Sequence, residues 1–298
     1  MMNGRSCGRL SQTTLLAAFG VAGWIFCEAP PPVVAPVEVR RAFVEEPPEP
    51  NYLELKADIL REFSGAKPGR FGQFVRGVYR KMDTTQKVLA FTFDACGGPG
   101  GRGYNAGLID YLRKEKIPAT LFITGQWIDE NPSIFKQLAS DPLFEIENHG
   151  LRHRVCSIDG ETKYGVVATR DVGDVVDEME LNARKIARLT GRRPVFFRTA
   201  TAYTDETCAR IAKRLGMEIV NYDVFSGDAE PFAPAATLQD NVLRAARGGA
   251  IVLMHFNHPR WNEKEALTAI VPILREKGYS FVKLEDFSLL DRKSASTK

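Results

Sequence analysis

Seven short apolar runs, each divided from the next by a stretch with helical spacing, limit what this chain can fold into more than any other feature. "LAFTF" (89–93) precedes an amphipathic segment near 105–115, and "ATLFIT" (119–124) precedes one near 131–139. "LFEIE" (143–147) leads through a loop to a long segment near 169–190, and "VFF" (195–197) leads to one at 204–215. "EIVNYDV" (218–224), "AIVLMHF" (250–256) and "YSFVKL" (279–284) complete the series, with helical spacing near 237–247 and 263–277 between them. Short runs apolar throughout are strands buried on both faces, and their alternation with helices predicts a parallel sheet covered by helices. Seven in one series, with no G-x-G-x-x-G at the first strand–helix turn, predict an α/β fold of the (β/α) barrel type rather than two doubly wound domains. "GVYRKM" and "KVLAFTF", flanking "DTTQ", predict a hairpin into the first strand, and "LELKADILREF" (53–63) predicts a helix ahead of it.

The N-terminal region has a different character. Arg5 and Arg9 precede "LLAAFGVAGWIFC" (15–27), the charge-then-apolar layout of an export signal. The run falls short of the about 20 apolar residues of a membrane span, and no A-x-A cleavage site follows it. Residues 1–27 are therefore expected to be a signal peptide or membrane anchor. The proline- and glutamate-rich stretch 28–51 is expected to be a solvated linker, and 52–298 the folded domain, placed in the periplasm or otherwise outside the cytoplasm and tethered if the anchor is kept. A formal charge of +3 without a sustained basic run excludes a nucleic-acid partner. Cys96, Cys156 and Cys208 are the only cysteines beyond the N-terminal segment, an odd number from which no disulfide framework can be read. Oligomeric state is not legible.

Polar residues gather where the strands end. Asp94 follows the first, Asn148 and His149 the third, Arg198 the fourth, Asp223 and Asp228 the fifth, and His255 the sixth. In barrels the C-terminal strand ends carry the chemistry. All 4 histidines fall in two clusters at such ends, "ENHGLRHR" (His149, His153) and "LMHFNHP" (His255, His258). His149 and His153 are four apart, so one helical turn would bring both rings to one side as ligands of one metal. A catalytic zinc has three protein ligands and an open position for water. Gly150 stands where H-E-x-x-H would place a glutamate, so a general base must come from elsewhere, and Asp94 is the candidate. The loop "GGPGGRG" (97–103) lacks the Gly-Lys-Ser/Thr end of a phosphate-binding loop and reads as a tight, open turn beside a cleft. His258 has no assigned role, and Trp127 and Trp261 could stack on a ligand or simply pack.

"TFDACGG", "NHGLRH", "FFRTATAY", "NYDVFSGD" and "IVLMH" together resemble, in order and position, the five motifs of the polysaccharide deacetylases, carbohydrate esterase family 4, over about 85–287. The resemblance implies a distorted (β/α)7 barrel and a metal-dependent hydrolase removing N-acetyl groups from a glycan such as peptidoglycan or a chitin-like polymer. It implies a divalent cation, zinc foremost, held by His149 and His153. Asp94 is then the general base, Arg198 its partner, His255 the general acid and Asp228 the residue that orients it. Thr201 falls where a backbone N–H meets the oxyanion. The chain departs from the pattern at Ala95, where a second aspartate would bind the metal, and at Gly150, Phe225 and Ala229. Two alternatives stay open: a glycan-binding barrel with impaired catalysis, and a deacylase acting on a different amide.

Overall fold

The computed structural model describes residues 50–290. Its centre is a parallel sheet, and every strand in it comes from one of the seven apolar runs or from Val78–Tyr79. We label the strands from the seven runs β1 (Val88–Ala95), β2 (Ala119–Ile123), β3 (Phe144–Asn148), β4 (Phe196–Phe197), β5 (Glu218–Val220), β6 (Val224–Phe225), β7 (Ala250–His255) and β8 (Ser280–Phe281). Their order is β5–β4–β3–β2–β1–β7–β6, all parallel. The fifth run is thus two strands with a break at 221–223; β6 ends the sheet on one side and β5 lies next to its other end, flanked only by Val78–Tyr79, so the sheet curls round until three residues join its two sides. This is the distorted (β/α)7 barrel. The distortion is visible in β8, which pairs only with Val88 and Leu89 and does not separate β7 from β1.

Alternation along β1 sorts its side chains between two cores. Leu89, Phe91, Phe93 and Ala95 pack outward against helix residues such as Leu108, Leu112, Leu267 and Ile270. Val88 and Ala90 point into the ring, with Phe122, Val220, Ile251 and Leu253. Each such fully buried Leu, Ile or Phe contributes roughly 1.5–3 kcal/mol relative to exposure. The helices begin where capping side chains stand: Asn105 accepts from Leu108 N–H ahead of Ala106–Lys114, and Thr124 from Trp127 N–H ahead of Gly125–Glu130.

One expectation needs correction, and two helices differ in detail. Val78–Tyr79 does not form a hairpin with β1 but pairs in parallel with β5. Met82 N–H bonds Gly249 O and Asp83 N–H bonds Ser288 O, so the "DTTQ" segment is tied across the sheet instead of reversing the chain. The long segment near 169–190 is a helix from Val172 to Thr190, interrupted by a π turn at Asp177–Leu181. The helix expected from Leu53 opens at Pro50. The signal or anchor expected at 1–27, and all of the linker before Pro50, lie outside the described residues.

Candidate active site

Thr92 and Asp94 lie on the inward face of β1, and the Arg198 guanidinium fills the space beside them. Arg198, just after β4, is fully buried. It donates through Nη1 to Asp94 Oδ1 at 2.8 Å and to Thr92 Oγ1 at 2.9 Å. Its Nε and Nη2 donate to the carbonyls of Val220 and Asn221, both at 3.0 Å. The break between β5 and β6 is what leaves the Asn221 carbonyl turned to this cation. A guanidinium out of water is tolerated only with such saturation, and its 4.1 Å approach to the Phe122 ring centre adds a cation–π contact. Burial pushes the Asp94 carboxyl up, but Arg198, His149 and His255 outweigh it and hold Asp94 below the usual carboxylate range.

His149 and His153 are brought together, though not by a turn of helix. Residues 149–154 form a loop in which Gly150 has φ +90° and His153 φ +56°, and the two rings lie 5.0 Å apart. Glu178, turned inward by the π segment, accepts the N–H groups of Arg152 at 3.1 Å and Arg154 at 3.0 Å. A Cβ at position 150 would collide with that carboxylate, which explains why glycine stands where the resemblance puts a hydroxyl residue. Burial pushes Glu178 up to about 7.

His149 Nδ1 lies 2.8 Å from the Arg198 carbonyl and so carries the proton, leaving the Nε2 lone pair facing inward. That Nε2 is 3.7 Å from Asp94 Oδ2 and 4.0 Å from Cys96 Sγ. Ligand atoms of Cys96, His149 and His153 all lie within 4.8 Å of one another. Burial lowers His149, and with the His149 ring beside it takes His153 down to about 3, so both rings are neutral, the form that binds metals. Burial, with Asp94 and Asp228 nearby, raises the Cys96 thiol. The two neutral imidazoles fit a divalent cation, and a thiol raised in this way would join them only by giving up its proton as the cation binds. Cys96 is not among the ligands read from the sequence; its position two residues beyond Asp94, just past the end of a strand whose side chains alternate, is the signal that points to it.

Opposite this cluster, His255 is in register with Asp94 across β7 and β1. Asp228 accepts the His255 backbone N–H and a hydroxyl bond from Ser226 at 2.9 Å, and its Oδ1 lies 3.2 Å from His255 Nδ1. Burial alone would lower the imidazole, but Asp228, with Asp94 and Glu263 behind it, pushes it up to about 9. Thr201, three residues past Arg198, has φ +61°, a strained geometry for a β-branched residue, and its buried hydroxyl has no partner among the described residues.

The remaining strand-end residues hold the frame. Asp223 pairs with Arg247 and accepts Ile251 N–H. Asn148 accepts from Gly150 N–H and Asn182. Trp127 is fully buried, its indole N–H bonded to Gly103 O, so it packs. Trp261 stacks on His258 at 3.5 Å. The glycine loop is close-packed: a Cβ on Gly97, at φ +74°, would lie 2.7 Å from Trp127 N.

Residues 81–220 match the family model for polysaccharide deacetylase. A peptidoglycan-N-acetylglucosamine deacetylase of Bacillus cereus is 27% identical over 208 residues, covering 69% of this chain and 90% of that protein. Among solved structures, a peptidoglycan N-acetylglucosamine deacetylase superposes with a TM-score of 0.60 at 23% identity, over 72% of this chain and 93% of that one. A CE4 family pseudoenzyme from Bacillus anthracis superposes equally well, TM-score 0.60 at 20% identity, over 79% and 81%.

Proposed function

Because this chain belongs to the polysaccharide deacetylase family, we propose that it is a metal-dependent hydrolase removing N-acetyl groups from a cell-envelope glycan. The observation that carries this reading is the pairing of two carboxylates with opposite effects. Asp94 is kept ionised by Arg198, while Asp228 keeps His255 protonated. A base and an acid in register on neighbouring strands serve amide hydrolysis, and a pure binding site needs neither.

His149 and His153 would hold the divalent cation, zinc foremost. Such an ion supplies Lewis-acid polarisation of the acetyl carbonyl and acidifies a water to a pKa of about 7. Asp94 takes a proton from the attacking water. His255 gives its proton to the departing sugar amine, so that acetate and a free amine leave together. The Thr201 backbone N–H would face the oxyanion, and the strained φ there supports a turn held for a purpose.

The substrate assignment rests on the relatives' names and on the export layout of residues 1–27, which supports an activity in the periplasm or otherwise outside the cytoplasm, with a membrane tether if the segment is retained. Among the described residues no helix is long and apolar enough to cross a membrane. A second reading, a glycan-binding barrel without turnover, is favoured by Phe225, an apolar side chain 47% exposed where the resemblance puts a carboxylate.

One assay separates the two readings. Full-length protein, supplied with zinc or cobalt, is given peptidoglycan and N-acetylglucosamine oligomers, and acetate and new primary amines are both counted. Equal amounts of the two, abolished by chelation, are expected. Binding to the glycan with no acetate would establish the second reading instead.

A further inference from the structure

We infer that Cys96 is the third protein ligand of the cation, giving a His–His–Cys site in which a thiolate from position 96 supplies the anionic ligand missing at position 95. The inference deepens the proposed function and rests on its claim that this site holds a divalent ion.

Strand alternation is the first support. Ala95 packs outward among the residues that meet the helices, fully buried there, so a carboxylate at that position on this backbone would enter apolar core. Asp94 faces inward, and Cys96, just past the end of β1, turns to the same side, its Sγ facing His149. The backbone there is fixed on both sides. Thr124 N–H bonds the Ala95 carbonyl at 3.1 Å, and Thr124 Oγ1 bonds the Cys96 carbonyl at 2.8 Å. Gly97 then turns at φ +74° directly against the Gly125–Glu130 helix, a contact a side chain would forbid.

The second support is geometric. A tetrahedral zinc with one sulfur and one imidazole ligand separates those atoms by roughly 3.5 Å. Cys96 Sγ and His149 Nε2 stand 4.0 Å apart, and the His153 donor completes a triangle no wider than 4.8 Å. His149 is already oriented, since its other nitrogen is committed to the Arg198 carbonyl. Closing the triangle needs small side-chain movements and leaves the backbone in place.

The third support is chemical. One thiolate and two imidazoles carry the same formal charge as one carboxylate and two imidazoles, so the electrostatics around Asp94 and His255 are preserved. The preference among metals is not preserved, because thiolate favours zinc over magnesium or manganese. The other two cysteines among the described residues, Cys156 and Cys208, are buried in apolar core, and neither joins the ligand-spaced group of Cys96, His149 and His153.

The test uses full-length protein stripped of metal and titrated with Co(II), followed by its electronic spectrum and by competition against a chromophoric chelator. Wild type is expected to bind one Co(II) with a sulfur-to-cobalt charge-transfer band in the near ultraviolet. Cys96→Ser is expected to lose the band and to bind zinc at least tenfold more weakly. Cys96→Asp is expected to recover affinity without the band. A wild-type Co(II) complex with no such band, or Cys96→Ser affinity within twofold of wild type, overturns the thiolate ligand and leaves the metal-dependent reading standing. No Co(II) or zinc bound to wild type overturns both. Should Cys96→Ser fail to fold, alkylation of the Cys96 peptide in wild type, followed by mass spectrometry, decides the matter: zinc protects a ligand thiol and leaves a bystander reactive.

Discussion

His255, the last residue of its strand, lies directly beside Asp94 in register, on the neighbouring parallel strand. One carries its own buried counter-charge in Arg198 and the other in Asp228. The same barrel rim therefore holds a carboxylate that stays ionised and an imidazole that stays protonated, on neighbouring strands.

Arg198→Met tests the first of these pairs. Removing one member of a buried ion pair costs about 3–5 kcal/mol, because the other charge is left unpaired. Denaturant unfolding should show a loss of that order for Arg198→Met. Asp94→Asn combined with Arg198→Met should cost clearly less than the sum of the singles, as coupled neighbours do. Strict additivity would mean that the two groups do not depend on each other.

Asp228→Asn tests the second pair through pH. His255 binds its proton more tightly folded than unfolded, so its contribution to stability is complete below its ordinary value of 6.5 and is lost as pH rises through about 9. In chelated wild type that loss is on the order of 3 kcal/mol. Asp228→Asn should remove it and bring the His255 ring titration, followed by NMR, to 6.5 or below. A ring that still titrates near 9 in the variant would show that Asp228 is not the cause.

Gly150→Ala places a methyl group against the Glu178 carboxylate at a backbone φ of +90°. Overpacking of this kind costs roughly 1–3 kcal/mol. Since Glu178 also holds Arg152 and Arg154, the loop carrying His153 should shift as well. We expect lower thermal stability together with weaker zinc binding. Unchanged zinc binding in a destabilised protein would separate the loop from the metal site.

Much of this architecture was legible in advance, for a physical reason. Strands buried on both faces read as unbroken apolar runs, and β1, β2, β3 and β7 were found at nearly their true limits. The four histidines stood out because polar side chains at strand ends have no core to serve. What escaped depended on tertiary context. Val78–Tyr79 looks like one arm of a hairpin until its backbone ties to Gly249 and Ser288 are seen. The role of Gly150 depends on a carboxylate 28 residues away, aimed by a π turn that no periodicity announces. The part open to Cys96 is hidden in the sequence because the resemblance points to the alanine beside it, whereas the fold turns position 95 outward and position 96 toward the histidines.

The acid–base claim is tested most directly by measuring acetate release from peptidoglycan by wild type, Asp94→Asn and His255→Ala, each brought to the same zinc content. Removal of a general base or acid costs roughly 10²–10⁴-fold in rate. Both variants should fall by factors in that range while still binding zinc and glycan. Either variant releasing acetate at the wild-type rate, with zinc in place, would contradict the assignment of these two residues as base and acid.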